Sequence, residues 1–249
     1  MKKNTSYIIA GASAAIVLAL VFFLLGRSSV PAPASPEDAQ AGQATDSPVT
    51  SVTVGSADHV WGRGPGGAIY RFENGAWQRR VAIASEIAAG ADGTVWTLND
   101  GGTPYLLAGK DWKKQPGRLQ QIAIGNAKNV WGIDGRHRPR RWNGKKWDAV
   151  QGQLLRISVG ADGTVWGLDR SRTPRRREGN KWKKVKGQKL LAIAVGSKTE
   201  VWGIDEQNRA VRYADGKFGV MMEAPKVVDL DVGGDGTVWF VRAQAALAP

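Results

Sequence analysis

The residues in this sequence whose types and spacing could do chemistry are a run of cations. They are Arg136, Arg138, Arg140 and Arg141, then Arg172, Arg175, Arg176 and Arg177, with Lys189 shortly after. Their chemistry is anion recognition. A guanidinium is planar, permanently charged, and able to give two parallel hydrogen bonds to a carboxylate or phosphate. Trp142, flanked by arginines, is a candidate to stack on a sugar face. Nothing accompanies these residues that could break a bond. There is no cysteine, so thiolate chemistry, disulfides and Cys-ligated zinc are excluded. The two histidines, His59 and His137, lie far apart in the sequence and suggest neither a triad nor a metal cluster. No P-loop, nucleophile elbow or HExxH segment occurs. The expectation is a binding protein, not an enzyme, with no cofactor and no metal.

The charge is concentrated in one sector. The chain carries a formal net charge of +13, yet residues 110–189 hold 22 Lys/Arg against 6 Asp/Glu. Residues 51–109 and 190–249 together hold 10 against 13. A polarised surface of this kind points to an anionic partner. The plain alternative is a solvated, solubilising face.

The elements that must position these residues form a repeat. Val-Trp recurs at Trp61, Trp96, Trp131, Trp166, Trp202 and Trp239, at intervals of 35 to 37 residues. A second aromatic follows each of the first five by sixteen residues: Trp77, Trp112, Trp147, Trp182 and Phe218. Ahead of each Val-Trp runs an alternating apolar/small segment, and at Asp92-Gly93, Asp162-Gly163 and Asp235-Gly236 an Asp-Gly pair marks a hairpin turn. Pro104, Pro139 and Pro174 enter the next strand, where a missing N–H is tolerated. Four short strands in each ~35-residue unit, with no helical period, describe the blades of a β-propeller. The Val-Trp and outer aromatics read as packing residues between blades.

The segments AGADGTVWTLN, ISVGADGTVWGLD and AIAVGSKTEVWGID resemble tectonin repeats, as found in tachylectin-like β-propeller lectins. The resemblance spans residues 51–249. It implies an all-β fold of six blades and recognition of bacterial surface glycans, lipopolysaccharide among them. One departure matters: the chain stops soon after Trp239, so the sixth blade is expected to be incomplete.

Residues 7–26 hold a nineteen-residue uncharged apolar run, 7–25, long enough at ~1.5 Å per residue to cross a bilayer as one transmembrane helix. Lys2 and Lys3 favour a cytoplasmic N-terminus for residues 1–6. A cleaved signal peptide is the alternative, although its apolar core is usually only ~7–15 residues. Residues 27–50, rich in Pro, Ala and Ser, read as a flexible linker to the propeller at 51–249. The expected protein is thus single-pass in the inner (plasma) membrane, with the propeller in the periplasm or outside the cell. Its expected role is lectin-like carbohydrate binding, an anionic glycan being held by the basic patch. The alternatives are a scaffold docking an acidic protein partner and, less favoured, a nucleic-acid binder.

Overall fold

The computed structural model describes residues 48–222 and 226–242. The expected cytoplasmic segment, transmembrane helix and most of the linker lie outside the described residues. Among those described, no helix is long and apolar enough to cross a membrane.

The fold is all-β. The first sheet is β1 (Ser51–Val54), β2 (Val60–Arg63), β3 (Ala68–Glu73) and β4 (Ala76–Ile83). The second is β5 (Glu86–Ala89), β6 (Val95–Leu98), β7 (Pro104–Ala108) and β8 (Asp111–Lys114). The third is β9 (Gln121–Asn126), β10 (Asn129–Ile133), β11 (Pro139–Trp142) and β12 (Trp147–Ala149). The fourth is β13 (Arg156–Val159), β14 (Val165–Leu168), β15 (Pro174–Glu178) and β16 (Lys181–Lys184). The fifth is β17 (Leu190–Val195), β18 (Val201–Asp205), β19 (Ala210–Ala214) and β20 (Lys217–Met222). Each is an antiparallel meander. The sixth repeat contributes only β21 (Val227–Val232) and β22 (Val238–Arg242). The structure therefore has five four-stranded blades, not the six expected. Among the described residues the sixth unit is a two-stranded ribbon.

That ribbon nevertheless closes the ring. Asp229 and Asp231 on β21 accept the backbone N–H groups of Val52 and Val54 at 2.9 and 2.8 Å, and Gly234 N–H donates to the carbonyl of Gly55 at 2.8 Å. The packed chain starts slightly earlier than the sequence boundary at 51. Val49 is buried against Gly62, and Thr50 N–H extends the first ladder to the Arg63 carbonyl at 2.8 Å.

A glycine stands at the C-terminal end of every inner strand, just past it at Gly55, Gly90, Gly160, Gly196 and Gly233 and next to last in it at Gly125. A Cβ on Gly55, Gly125 or Gly196 would stand 2.0–2.1 Å from the carbonyl oxygen of the matching glycine in the next unit. Only glycine lets the inner strands converge this closely. The three Asp-Gly turns add a second device on alternate seams. Asp92, Asp162 and Asp235 each accept the backbone N–H of the next unit, from Ala127, Lys198 and Ala57, at 2.8–2.9 Å. The residues before those aspartates, Ala91, Ala161 and Gly234, meet at the axis. A Cβ on Gly234 would lie 2.5 Å from that of Ala161 and 3.2 Å from that of Ala91. These turns were legible only as hairpins. Their role as staples between blades required the ring.

The six Val-Trp tryptophans are all buried, at 1–6% exposure. Each sits in a wedge with aromatics or aliphatics of the following blade. Trp239 meets Phe72 and Trp77, and Trp96 meets Trp142 and Trp147. Trp166 meets Tyr213 and Phe218, and Trp61 clusters with Leu107 and Trp112. The edge-to-face geometry, with centroids 4.8–6.1 Å apart, adds to the area buried in each wedge.

Candidate functional site

The third and fourth blades carry the surplus cations, and the strand register decides which way each points. In a propeller meander the loop between the second and third strands lies beside the connection to the next blade. Here Leu154 N–H donates to the His137 carbonyl and Leu190 N–H to the Arg172 carbonyl. Arg136, Arg138 and Arg172 therefore share a face with Lys189, all four exposed. His137 and Arg172 take φ of 62° and 61° in this loop, where the first two blades place Gly67 and Gly102.

Several of the arginines face inward instead. Arg140 and Arg175 stand where the first two blades have Tyr70 and Tyr105, and each forms a two-pronged pair with an aspartate of its own blade. Arg140 gives Nε and Nη2 to Asp134 Oδ2 at 3.1 and 2.7 Å, and Arg175 gives the same pair to Asp169 at 2.9 and 2.7 Å. Arg138 Nε also reaches Asp134, at 2.9 Å. Burial pushes the Asp134 carboxyl up, but hydrogen bonds from Arg140, Arg138 and Arg136 outweigh it and hold the group well below the usual carboxylate range. Asp169 is lowered in the same way by Arg175, Thr173 and Ser171, against the opposing effect of partial burial. Arg172 lies 3.9 Å from Glu206, and Arg176 pairs with Glu178, which also holds Lys183. Six of the 22 cations between Lys110 and Lys189 are thus paired. The other sixteen make no ion pair within 4.0 Å among the described residues, although the charge of Arg156 acts on Glu86 and Asp229.

Trp142 is half-buried in the wedge between the second and third blades, 5.4 Å from Trp96 and 5.1 Å from Trp147. Its position is the one held by Phe72 and Tyr213 in other blades, so packing accounts for its size.

A rule that the sequence alone did not reveal governs Arg141. The residue ten past each Val-Trp tryptophan is its cross-strand partner: Trp61 with Arg71, Trp96 with Leu106, Trp131 with Arg141, Trp166 with Arg176, and Trp202 with Arg212. The four arginines lie over their tryptophan rings at 5.6–5.9 Å. Arg71, Arg176 and Arg212 are each neutralised by a glutamate, Glu73, Glu178 and Glu200 respectively. Arg141 is not. Asn143 occupies the place of Glu73 and Glu178, and Asn129 that of Glu200. In the same wedge Arg177 replaces the aromatic or leucine of other blades. Its guanidinium lies 5.2 Å from the Trp182 ring, with Nη1 buried and unpartnered. Burial pulls its pKa below the ordinary arginine value. Arg141, Arg177, Trp131, Asn129 and Asn180 all line one groove of about 580 Å³ between the third and fourth blades.

A ring of Trp-centred meanders, stapled by Asp-Gly turns and opening grooves between its blades, defines a β-propeller of the tectonin type. The family profile of the Tectonin domain matches residues 83–177 and 160–247, most of the chain, and the chain belongs to that family. None of the curated proteins matches it. Among solved structures it is similar to YCF48 from Cyanidioschyzon merolae, at 15% identity and a TM-score of 0.50, covering 77% of this chain and 81% of that one. A second similar structure, YCF48 bound to D1 peptide, has 15% identity and a TM-score of 0.49, covering 69% of this chain. This chain spans 66% of that protein's length, just under two thirds. At these identities the likeness is one of fold.

Proposed function

We propose that this propeller is a lectin-type binding module whose third and fourth blades recognise an anionic glycan, such as lipopolysaccharide, at a cell envelope. The observation that supports it best is the surplus of unpaired cations. Sixteen lysines and arginines in one sector make no close ion pair among the described residues, while the rest of the propeller is close to neutral. Part of this surplus has a second use. Lys113 and Lys114 on β8, and Lys181, Lys183 and Lys184 on β16, sit on outermost strands, where lysine also discourages edge-to-edge pairing. Edge protection does not account for Arg141 or Arg177, which lie between blades. The apolar run at residues 7–26 fits a tether that holds the module at a membrane.

The purified full chain is titrated with lipopolysaccharide, a neutral glycan and duplex DNA across a salt series. Saturable lipopolysaccharide binding that survives ~0.15 M salt, with DNA binding lost, is the expected result. Equal loss of both polyanions with salt would sink the glycan reading and turn attention to an acidic protein partner.

A further inference from the structure

The wedge between the third and fourth blades departs from the other wedges twice, and both departures place an unneutralised guanidinium in the same groove. The first lies on the third blade. The arginine that caps the Val-Trp tryptophan elsewhere carries a glutamate, but Arg141 has asparagines, Asn143 and Asn129, at those positions, and its cross-strand neighbour Asp148 accepts from Asn143 Nδ2 at 2.9 Å and makes no ion pair with it. The second lies on the fourth blade. The position filled by Phe72, Leu107, Trp142 and Tyr213 is Arg177, whose Nη1 is buried without a partner and whose Nη2 has only a long 3.5 Å contact to Asn180 Oδ1. A packing role explains an aromatic here and does not explain a cation. A buried guanidinium N–H without an acceptor is costly, and so is paired in most structures. That fork and the exposed Arg141 beside it, with neutral amides at the positions of the other blades' glutamates, form a groove prepared for an oxyanion brought from outside.

We propose that this groove is a ligand site for a carboxylate or phosphate group carried on a sugar ring. Arg141 and Arg177 hold the oxyanion, Asn129 and Asn180 offer amides to the ring hydroxyls, and Trp131 forms part of one wall. The groove, at about 580 Å³, is within the ~300–1,000 Å³ range of small-molecule sites and accommodates a monosaccharide. The inference deepens the glycan reading above by naming the chemical group and the place where it is held.

The second blade supplies variants that the fold already tolerates, since it has Leu106 and Leu107 where the third and fourth blades have Arg141 and Arg177. Glucuronate and glucose 6-phosphate are titrated into the full chain, with glucose as the neutral control and tryptophan fluorescence and calorimetry as readouts. Binding of both anionic sugars and not of glucose is expected, with affinity falling at least about tenfold in the Arg141→Leu/Arg177→Leu double variant. Asn143→Glu, an exposed change that gives Arg141 the partner Arg71 and Arg176 have, is expected to weaken binding several-fold, at a modest cost in melting temperature from the lost Asn143 bonds to Asp148 and to the Lys145 and Lys146 N–H groups. It also keeps the test decisive should the double variant fail to fold. No binding of either anionic sugar, or unchanged affinity in these variants, overturns the proposal. If lipopolysaccharide still binds the double variant as tightly as the parent, the sector-wide reading stands and the groove falls. If the small anions bind and lipopolysaccharide does not, the groove stands and the polymer reading falls.

Discussion

The melting temperature should fall as the pH is raised from 5 to 8, by about 10 °C, and Glu86→Gln should remove a large part of that fall. The cause is a set of carboxyls in the axial channel, a cavity of about 540 Å³ lined by the inner strands. Glu86, Asp229 and Asp231 touch channel water with part of their surface but are otherwise enclosed by protein. Each accepts a backbone N–H of the neighbouring unit: Ile122, Val52 and Val54, at 3.3, 2.9 and 2.8 Å. Burial dominates in all three. It pushes Glu86 up to about 8 despite Arg156 and Arg63, and Asp229 up to about 7 with help from the charge of Asp231. Asp231 is pushed up to about 6.

A carboxyl whose native pKa lies above its unfolded value holds its proton more tightly when folded. The native state therefore has its full advantage below about pH 4 and loses it as the pH rises through 6, 7 and 8. One pKa unit is worth about 1.4 kcal/mol. With screening by channel water, the three groups together should cost on the order of 3–5 kcal/mol between pH 5 and 8. For a propeller of this size each kcal/mol moves the melting temperature by about 2–4 °C. At the acid end the sign reverses. Asp134, Asp169, Asp92 and Asp162 are held below their ordinary values, so their contribution is lost as they protonate below about pH 4. Stability should peak near pH 5. Gln121 already shows that glutamine can do the work of Glu86, because its Oε1 accepts the Ile157 N–H at 2.8 Å one seam further on. A flat or rising melting curve from pH 5 to 8 would show that these carboxyls are ionised in the folded protein.

Trp142→Ala should cost about 3 kcal/mol of stability, the low end of the ~3–5 kcal/mol range for truncating a buried aromatic because Trp142 is half-buried, while Trp142→Leu should be close to neutral. Trp142 fills the wedge against Trp96 and Trp147, and a leucine, Leu107, does the same work against Trp61 and Trp112 one blade earlier. Chemical denaturation measures the cost directly. Glycan affinity should be unchanged in the folded Trp142→Leu variant. A loss of affinity without loss of stability would return Trp142 to the role of a sugar-stacking residue.

Fold and repeat were legible because a propeller writes the same physical requirement six times. The Val-Trp spacing marks the buried second strand of every unit, and the +16 aromatics mark the fourth strand that fills the neighbouring wedge. The number of complete blades was less legible. How a two-stranded ribbon closes the ring could not be read from the sequence. That depends on Asp229 and Asp231 reaching backbone amides of β1, more than 170 residues earlier. The basic sector was visible as composition. Its internal division was not, because Arg140 and Arg141 are adjacent in sequence and point to opposite faces of one strand. Arg140 replaces a tyrosine and is neutralised by Asp134, whereas Arg141 caps Trp131 and makes no ion pair, its cross-strand neighbour Asp148 being held by Asn143. The missing glutamate was in principle readable by aligning the repeats, as Asn143 against Glu73 and Glu178. Its meaning depended on knowing that Arg71 and Arg176 need those glutamates.

Hydrogen exchange of the full chain with and without lipopolysaccharide tests the anion-binding sector most directly. New protection is predicted on β11, β15 and β16, residues 139–142, 174–178 and 181–184, with the first, fifth and sixth units unchanged. Protection centred on those other units, with the third and fourth blades exchanging as before, would contradict it.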